Sequence, residues 1–86
     1  MARPTAYQCV FDESVADYII SLSKTKQRHL LQLARTLAAA PFVVSDYAVR
    51  DESGRDIDHL LVDAWVFAYW VDHAVREVRI VEIEEV

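Results

Sequence analysis

The chain has 86 residues, and its nine basic and fourteen acidic side chains give a formal net charge of −5. This length predicts one domain, residues 1–86, with a single hydrophobic core. Apolar residues make up 53% of the chain and only three residues are glycine or proline, which excludes a disordered polypeptide. No apolar run approaches the roughly 18 residues of a membrane span, and the N-terminus lacks the apolar core of a signal peptide. We therefore expect a cytoplasmic protein that makes no membrane contact.

Charge is distributed unevenly along the chain. Up to Pro41, five basic residues stand against three acidic ones, whereas from Phe42 onward four arginines stand against eleven acidic residues. Binding to a phosphate backbone depends on lysines and arginines that neutralise it. The acidic second half is therefore expected to repel nucleic acid, and direct nucleic-acid binding is not predicted.

No cofactor or metal is expected from the residue pattern. The single cysteine, Cys9, cannot form an internal disulfide and is predicted to be a small buried apolar residue in a reducing compartment. Asp58, Asp63 and Asp72, considered together with the histidines, have no ligand-pair spacing such as His-x-His or a cysteine pair. His73, in the segment Asp72–Val75, is predicted to be a solvated turn residue.

The first half of the chain predicts a strand followed by two helices. Ala6–Phe11 is strand-like, and Asp12 or Ser14 can cap a helix whose apolar side chains recur at helical spacing: Val15, Tyr18, Ile19 and Leu22. A second helix begins at Ser23 and ends before Pro41, because proline disfavours helix in the residue before it. Its apolar face consists of Leu30, Leu33, Ala34 and Leu37, with Leu31 and Ala38 alongside.

The second half predicts four strands, Val43–Arg50, Ile57–Val62, Trp65–Val71 and Glu77–Ile83, with a turn at Asp51–Asp56. The breaks between the last three strands are too short for a parallel crossover, so these strands form antiparallel hairpins. The predicted fold class is α+β: a short N-terminal strand, a helical hairpin and a four-stranded antiparallel meander. The helices are expected to pack on one face of the twisted sheet.

Side-chain alternation predicts a second apolar face on this sheet. Trp65, Phe67, Tyr69 and Val71 point to one side, so Trp70 points to the other beside Val66 and Ala68. Ile57, His59 and Leu61 share a face of the neighbouring strand. We expect one apolar patch, a partner site anchored by Trp70, made of Ile57, Leu61, Val66, Ala68 and Trp70. The alternative is that Val81–Val86 covers Trp70 within the same chain.

The element order, together with Ala39–Phe42 after the second helix, Gly54-Arg55 and Tyr69–Asp72, resembles the RelE/ParE toxin superfamily. These proteins are the toxic halves of type II toxin–antitoxin pairs, which include plasmid-stabilisation systems. The resemblance spans Phe11 to Ile83. It implies a curved antiparallel sheet on a helical hairpin and a cognate antitoxin that wraps the domain. In ribosome-dependent members, the concave face of the sheet cuts messenger RNA in the ribosomal A site.

The family pattern also implies which residues cut RNA. Attack by a ribose 2′-hydroxyl needs a proton acceptor, a proton donor and cations for the charged transition state. The arginine positions of the family's central hairpin correspond here to Leu61 and Val66, and its C-terminal basic position lies near Glu84. These substitutions predict weak or absent ribonuclease activity. The catalytic candidates that remain are Arg50, Arg55, His59 and Arg79.

A basic stripe lies on the second helix. Lys24, Arg28 and Arg35 recur with Gln32 at near four-residue steps, on the face opposite the leucines. One interpretation is an electrostatic docking site for an acidic antitoxin segment or for nucleic acid. The other is the solvated face of an ordinary surface helix.

Three functional hypotheses follow. In the first, the chain is a toxin-like protein that contacts an antitoxin and a cellular protein target such as a topoisomerase, as in the ParE branch. In the second, it is a ribosome-dependent endonuclease with an atypical active site. In the third, it is a non-toxic relative that forms a homodimer through the apolar sheet face.

Overall fold

A computed structural model describes residues 6–86, in which two helices cover part of one face of a five-stranded sheet. The elements are β1 (Gln8–Phe11), α1 (Glu13–Ile20), α2 (Lys24–Ala39), β2 (Tyr47–Arg50), β3 (Asp56–Val62), β4 (Trp65–Asp72) and β5 (Glu77–Glu85). This arrangement confirms the predicted α+β class. Neither helix is long and apolar enough to cross a bilayer.

The helical hairpin begins and ends where the sequence predicts. The Ser23 hydroxyl accepts a hydrogen bond from the Lys26 amide at 3.3 Å, so Ser23 is the N-cap of α2. Asp12 occupies the N-cap position of α1 without a side-chain capping bond. The side-chain amide of Gln27 donates to the carbonyls of Ile20 and Leu22, at 3.1 and 3.0 Å. These bonds fix the short connection between the helices.

The strand order in the sheet is β1-β5-β4-β3-β2. Strands β2 to β5 form the predicted antiparallel meander. Strand β1 pairs with β5 in parallel, with Cys9 opposite Val78 and Phe11 opposite Ile80. The sheet is therefore mixed, and the first strand of the chain lies at one edge while β2 lies at the other.

Strand β2 is shorter than the predicted Val43–Arg50, since only Tyr47–Arg50 is extended and paired. The preceding residues do not continue the strand pairing, because a side chain rather than a backbone carbonyl accepts one of the hydrogen bonds from β3. The Leu61 amide donates to the Asp46 carboxylate at 2.7 Å, while the Asp46 amide donates to the His59 carbonyl. Val44 is consequently 87% exposed.

Strands β3 and β4 are joined by a two-residue turn, Asp63-Ala64. Both residues have positive φ, 50° and 68°, which is the geometry of a type I′ turn. This turn type matches the right-handed twist of the strands it joins. Asparagine and glycine usually occupy these positions, so Ala64 adopts a backbone conformation that its Cβ disfavours.

The core lies between the helices and strands β4 and β5. Trp65, Phe67 and Tyr69 of β4 are buried there with Val78 and Ile80 of β5. From the helices come Val15, Ile19, Leu30, Ala34, Leu37 and Ala38. These positions confirm the predicted inward face of β4. A bulge opposite Ala68 and Tyr69 adds one residue to β5, which returns Ile83 to the core face.

Candidate functional site

The opposite side of the sheet is left uncovered by α1 and α2, and we call it the helix-free face. Pairing and alternation place the following side chains on it: Tyr47, Val49, Ile57, His59, Leu61, Val66, Ala68, Trp70 and Arg79. Asp58 pairs with Tyr69, so it lies on the helix side, where its carboxylate accepts a hydrogen bond from the Ser45 hydroxyl at 3.0 Å.

Trp70 projects from the helix-free face, but its ring is not freely exposed as an anchor for a protein interface. The guanidinium carbon of Arg55 lies 4.0 Å from the centroid of the Trp70 ring, and that of Arg79 lies 5.8 Å away. This geometry is a cation–π contact, and the ring is partly buried. The alternative cover, Val81–Val86, is excluded because β5 through Glu85 pairs beside β4 rather than over it.

The turn before β3 positions Arg55. One Asp51 carboxylate oxygen accepts bonds from the Ser53 amide (2.9 Å), the Ser53 hydroxyl (2.7 Å) and the Arg55 amide (2.9 Å). The Ser53 hydroxyl bond and the two amide bonds favour the carboxylate and lower the pKa of Asp51. Gly54 has φ 86°, a conformation that suits glycine. The Arg55 guanidinium thus extends from a turn whose backbone is held in place by these hydrogen bonds.

The predicted apolar patch is smaller than expected. Ile57 is only 9% exposed and Ala68 only 4%, whereas Leu61 is 56% exposed. Both residues lie beside Trp70, because Ala68 is next but one to it on β4 and Ile57 precedes Asp58, which pairs with Tyr69. The exposed apolar surface of this face therefore lies toward β2, where Tyr47 and Val49 are each more than half exposed.

The four catalytic candidates do not come together. Arg55, His59 and Arg79 lie on the helix-free face, but Arg50 alternates with Val49 to the opposite side. There its guanidinium is 3.3 Å from the Asp56 carboxylate. The guanidinium of Arg79 is committed to Glu77 at 2.8 Å. Arg50 is therefore separated from the other three, and a catalytic role for any of the four stays a prediction.

His59 is a stacked and oriented imidazole. Its ring lies 4.6 Å from the Tyr47 ring, with an interplanar angle of 11°. Its Nδ1 is 3.1 Å from the Ile57 carbonyl. A carbonyl only accepts, so Nδ1 carries the proton and Nε2 of the neutral ring is an acceptor.

His73 has partners that the sequence did not reveal. The Tyr7 hydroxyl is 2.8 Å from His73 Nδ1, and the Phe42 ring stacks on the imidazole at 5.2 Å. His73 is exposed in the β4–β5 turn, as predicted, but it joins that turn to the start of β1 and to the loop after α2. The expectation of a simply solvated side chain is corrected accordingly.

The basic stripe on α2 carries cations without carboxylate partners. Lys24, Arg28 and Arg35 are exposed, and within residues 6–86 no carboxylate lies at ion-pair distance from any of them. Lys26 differs, because its ammonium is 3.3 Å from the Glu85 carboxylate. Three positive charges on one helix are therefore available to an acidic partner.

A groove of about 1000 Å³ runs between β1 and α2, and the sequence analysis did not anticipate it. It is lined by Cys9 and Phe11, by the loop containing Phe42, and by one side of α2 that includes Ala34, Ala38 and Arg35. The available signal was the run of alanines near the end of α2, whose small side chains leave space. Cys9 Sγ donates to the Ala34 carbonyl at 2.8 Å, and burial raises the pKa of this thiol to about 11.

A metal centre receives no support from the part of the chain that the structure describes, where no three His, Cys, Asp or Glu side chains cluster. The candidate surfaces are thus the helix-free face, the basic stripe and the groove beside β1. All three are suited to binding, and on the helix-free face His59 offers a group suited to proton transfer.

Comparison with solved structures identifies the fold. The chain is similar to the archaeal RelE–RelB complex from Pyrococcus horikoshii OT3, with TM-score 0.69 and 16% identity over 93% of this chain and 94% of that chain. It is similar to the toxin–antitoxin complex RelBE2 from Mycobacterium tuberculosis, with TM-score 0.76 and 16% identity over 94% and 99%. The intact Escherichia coli RelBE toxin–antitoxin complex gives TM-score 0.71 and 16% identity over 94% and 98%.

Sequence comparison gives no corresponding result. The chain matches no protein-family model and no curated protein. At this level of identity the structural likeness shows the fold alone, and this chain shares that fold with the RelE-type chains of the three complexes.

Proposed function

We propose that this chain is the toxin-like component of a type II toxin–antitoxin module and that it acts through contacts with other proteins. Its fold covers almost the full length of chains from three toxin–antitoxin complexes, in which RelE-type proteins were crystallised with antitoxins. A cognate antitoxin is the partner that this similarity supports.

The observation that carries the proposal is the set of cations on α2. Lys24, Arg28 and Arg35 are exposed and have no carboxylate partner in residues 6–86, although the chain as a whole is acidic. A basic helix on an acidic protein favours an acidic partner segment, because complementary charge accelerates encounter and fixes orientation.

RNA cleavage receives less support from the helix-free face. Charge stabilisation would depend on Arg55 and Arg79, but Arg55 covers Trp70 and Arg79 is paired with Glu77. Leu61 and Val66, which correspond to the family's arginine positions, supply no charge. The transition state for attack of the ribose 2′-hydroxyl on its phosphate would therefore lack most of the cations that stabilise its charge.

The second candidate function remains a ribosome-dependent endonuclease, and His59 is the observation in its favour. Its Nε2 is an acceptor, as a general base requires, and the adjacent Tyr47 ring is exposed for stacking on a base. In this alternative Arg55 would leave Trp70 to bind phosphate. The third, homodimeric alternative would use the exposed side chains of Leu61 and Val49.

Co-expression with the protein encoded by the neighbouring reading frame tests the proposal. We expect a stable complex in size-exclusion chromatography coupled to light scattering, and relief of any growth arrest caused by the chain alone. The chain expressed alone shows whether a homodimer forms instead. A chain that stays unbound, or pairs only with itself, would contradict the proposal.

A further inference from the structure

Strand β1 presents a free backbone edge. The Gln8 amide donates to the Arg76 carbonyl at 3.0 Å, and the Asp12 amide donates to the Ile80 carbonyl at 3.1 Å. In a parallel ladder with this register, every second residue bonds the neighbouring strand. The backbone N–H and C=O groups of Cys9 and Phe11 therefore point away from β5. No other strand of residues 6–86 lies on that side.

The groove beside this edge has an apolar lining with one cation. Ala34, Ala38 and Ala39 keep the α2 side shallow, and Leu31 adds apolar surface. Arg35 is exposed at the same groove, with no carboxylate of the described chain near it. An occupant needs small or apolar side chains for the lining and a carboxylate for the guanidinium.

The loop after α2 extends the apolar surface at one end of the groove. Phe42 is 74% exposed and Val43 is 44% exposed, and both line the groove. Stacking on His73 and an edge contact with Tyr7 hold the Phe42 ring in place. An exposed aromatic ring fixed in this way is preorganised for contact with a partner, since little side-chain freedom remains to be lost.

We propose that this edge and groove receive an extended acidic–apolar segment of the antitoxin, which adds to the sheet as a strand beside β1. The segment bonds the free backbone groups of Cys9 and Phe11, places apolar side chains in the groove and sets a carboxylate on Arg35. This inference rests on the proposed function. Strand addition of this type derives affinity from main-chain bonds and specificity from side-chain pockets.

Charge argues against a second copy of this chain as the occupant. Pairing two β1 edges would bring two α2 helices together, and α2 contains lysines, arginines and a histidine but no acidic residue. Like charges across an interface disfavour association. An acidic segment from another protein would instead be attracted to the same surface.

Amide hydrogen exchange in the complex with the protein encoded by the neighbouring reading frame tests this inference. We expect the amides of Cys9 and Phe11 to exchange at least about tenfold more slowly in the complex than in the free chain. The matched controls are the amides of Gln8 and Asp12, which are already bonded to β5 and should change much less.

Two pairs of variants provide an independent readout. Ala39→Trp fills the groove and should weaken binding about tenfold or more, whereas Thr36→Trp, on the same helix but outside the groove, should not. Arg35→Gln should weaken binding and reduce its salt dependence, whereas Arg50→Gln, beside the far edge of the sheet, should leave both unchanged.

The outcomes separate this inference from the proposed function. A complex that forms without protecting Cys9 and Phe11, and that tolerates Ala39→Trp, would overturn the inference alone. Protection that appears in the chain by itself as its concentration rises would assign the edge to a second copy and overturn the inference as well. Absence of any complex would contradict the proposed function and this inference together.

Discussion

Trp70 and Arg55 show what can be read at the scale of single residues. Alternation along β4 places Trp70 on the helix-free face, and the structure agrees. The sequence did not predict that Arg55 would cover the ring, because that contact depends on the turn held by Asp51. His59 likewise lies on the expected face, while its stacking on Tyr47 depends on the register between β2 and β3.

Replacement of Trp70 by alanine should leave the domain folded. We expect a loss of about 1 kcal/mol of folding stability from the cation–π contact, and a smaller effect on partner binding than an exposed anchor would show, because Arg55 covers the ring. Trp65→Ala is the matched control, since Trp65 is 4% exposed in the core and its truncation should cost about 3–5 kcal/mol of folding stability. Chemical denaturation and titration with the antitoxin measure both effects. Equal destabilisation by the two variants would make Trp70 a core residue.

At the scale of elements, the local patterns predicted the helices and hairpins well. Ser23 caps α2 and the helix stops before Pro41, because both signals act within one turn of the chain. The parallel pairing of β1 with β5 was not predicted, since the two strands are separated by most of the sequence and nothing local specifies a partner. The groove was missed for the same reason.

The β3–β4 turn provides a test of local backbone conformation. Ala64 has φ 68°, so Ala64→Gly should raise the free energy of unfolding by about 0.5–1 kcal/mol, because glycine adopts this conformation without the Cβ penalty. Ala48→Gly is the control, since Ala48 lies in β2 and glycine weakens a strand. Thermal or urea denaturation distinguishes the two. A destabilised Ala64→Gly variant would contradict the type I′ geometry.

The basic stripe of α2 makes a prediction for the same element. Reversal of Lys24, Arg28 and Arg35 to glutamate should weaken antitoxin binding and make the remaining affinity less sensitive to salt. Folding stability should change little, because exposed charges contribute little to it. Calorimetric titration at several salt concentrations provides the readout. Unchanged affinity and salt dependence would show that the stripe is only a solvated helix face.

At the scale of the whole molecule, the chain combines a RelE-like fold with an uneven distribution of charge. The fold is similar to that of the RelE-type chains in the solved complexes, while the helix-free face carries the uncharged side chains of Leu61 and Val66. Sequence patterns were sufficient for the fold class because burial and turn chemistry specify it. They were insufficient for the interaction surfaces, which depend on side chains from distant strands.

The most direct measurement of the central claim is messenger RNA cleavage on translating ribosomes. Purified chain is added to a translation reaction, and cleavage positions are mapped by primer extension beside a His59→Ala variant. We expect no cleavage by either protein, because Arg55 and Arg79 are engaged elsewhere and Leu61 and Val66 carry no charge. Site-specific cleavage by the unmodified chain that His59→Ala abolishes would contradict it and establish the endonuclease alternative.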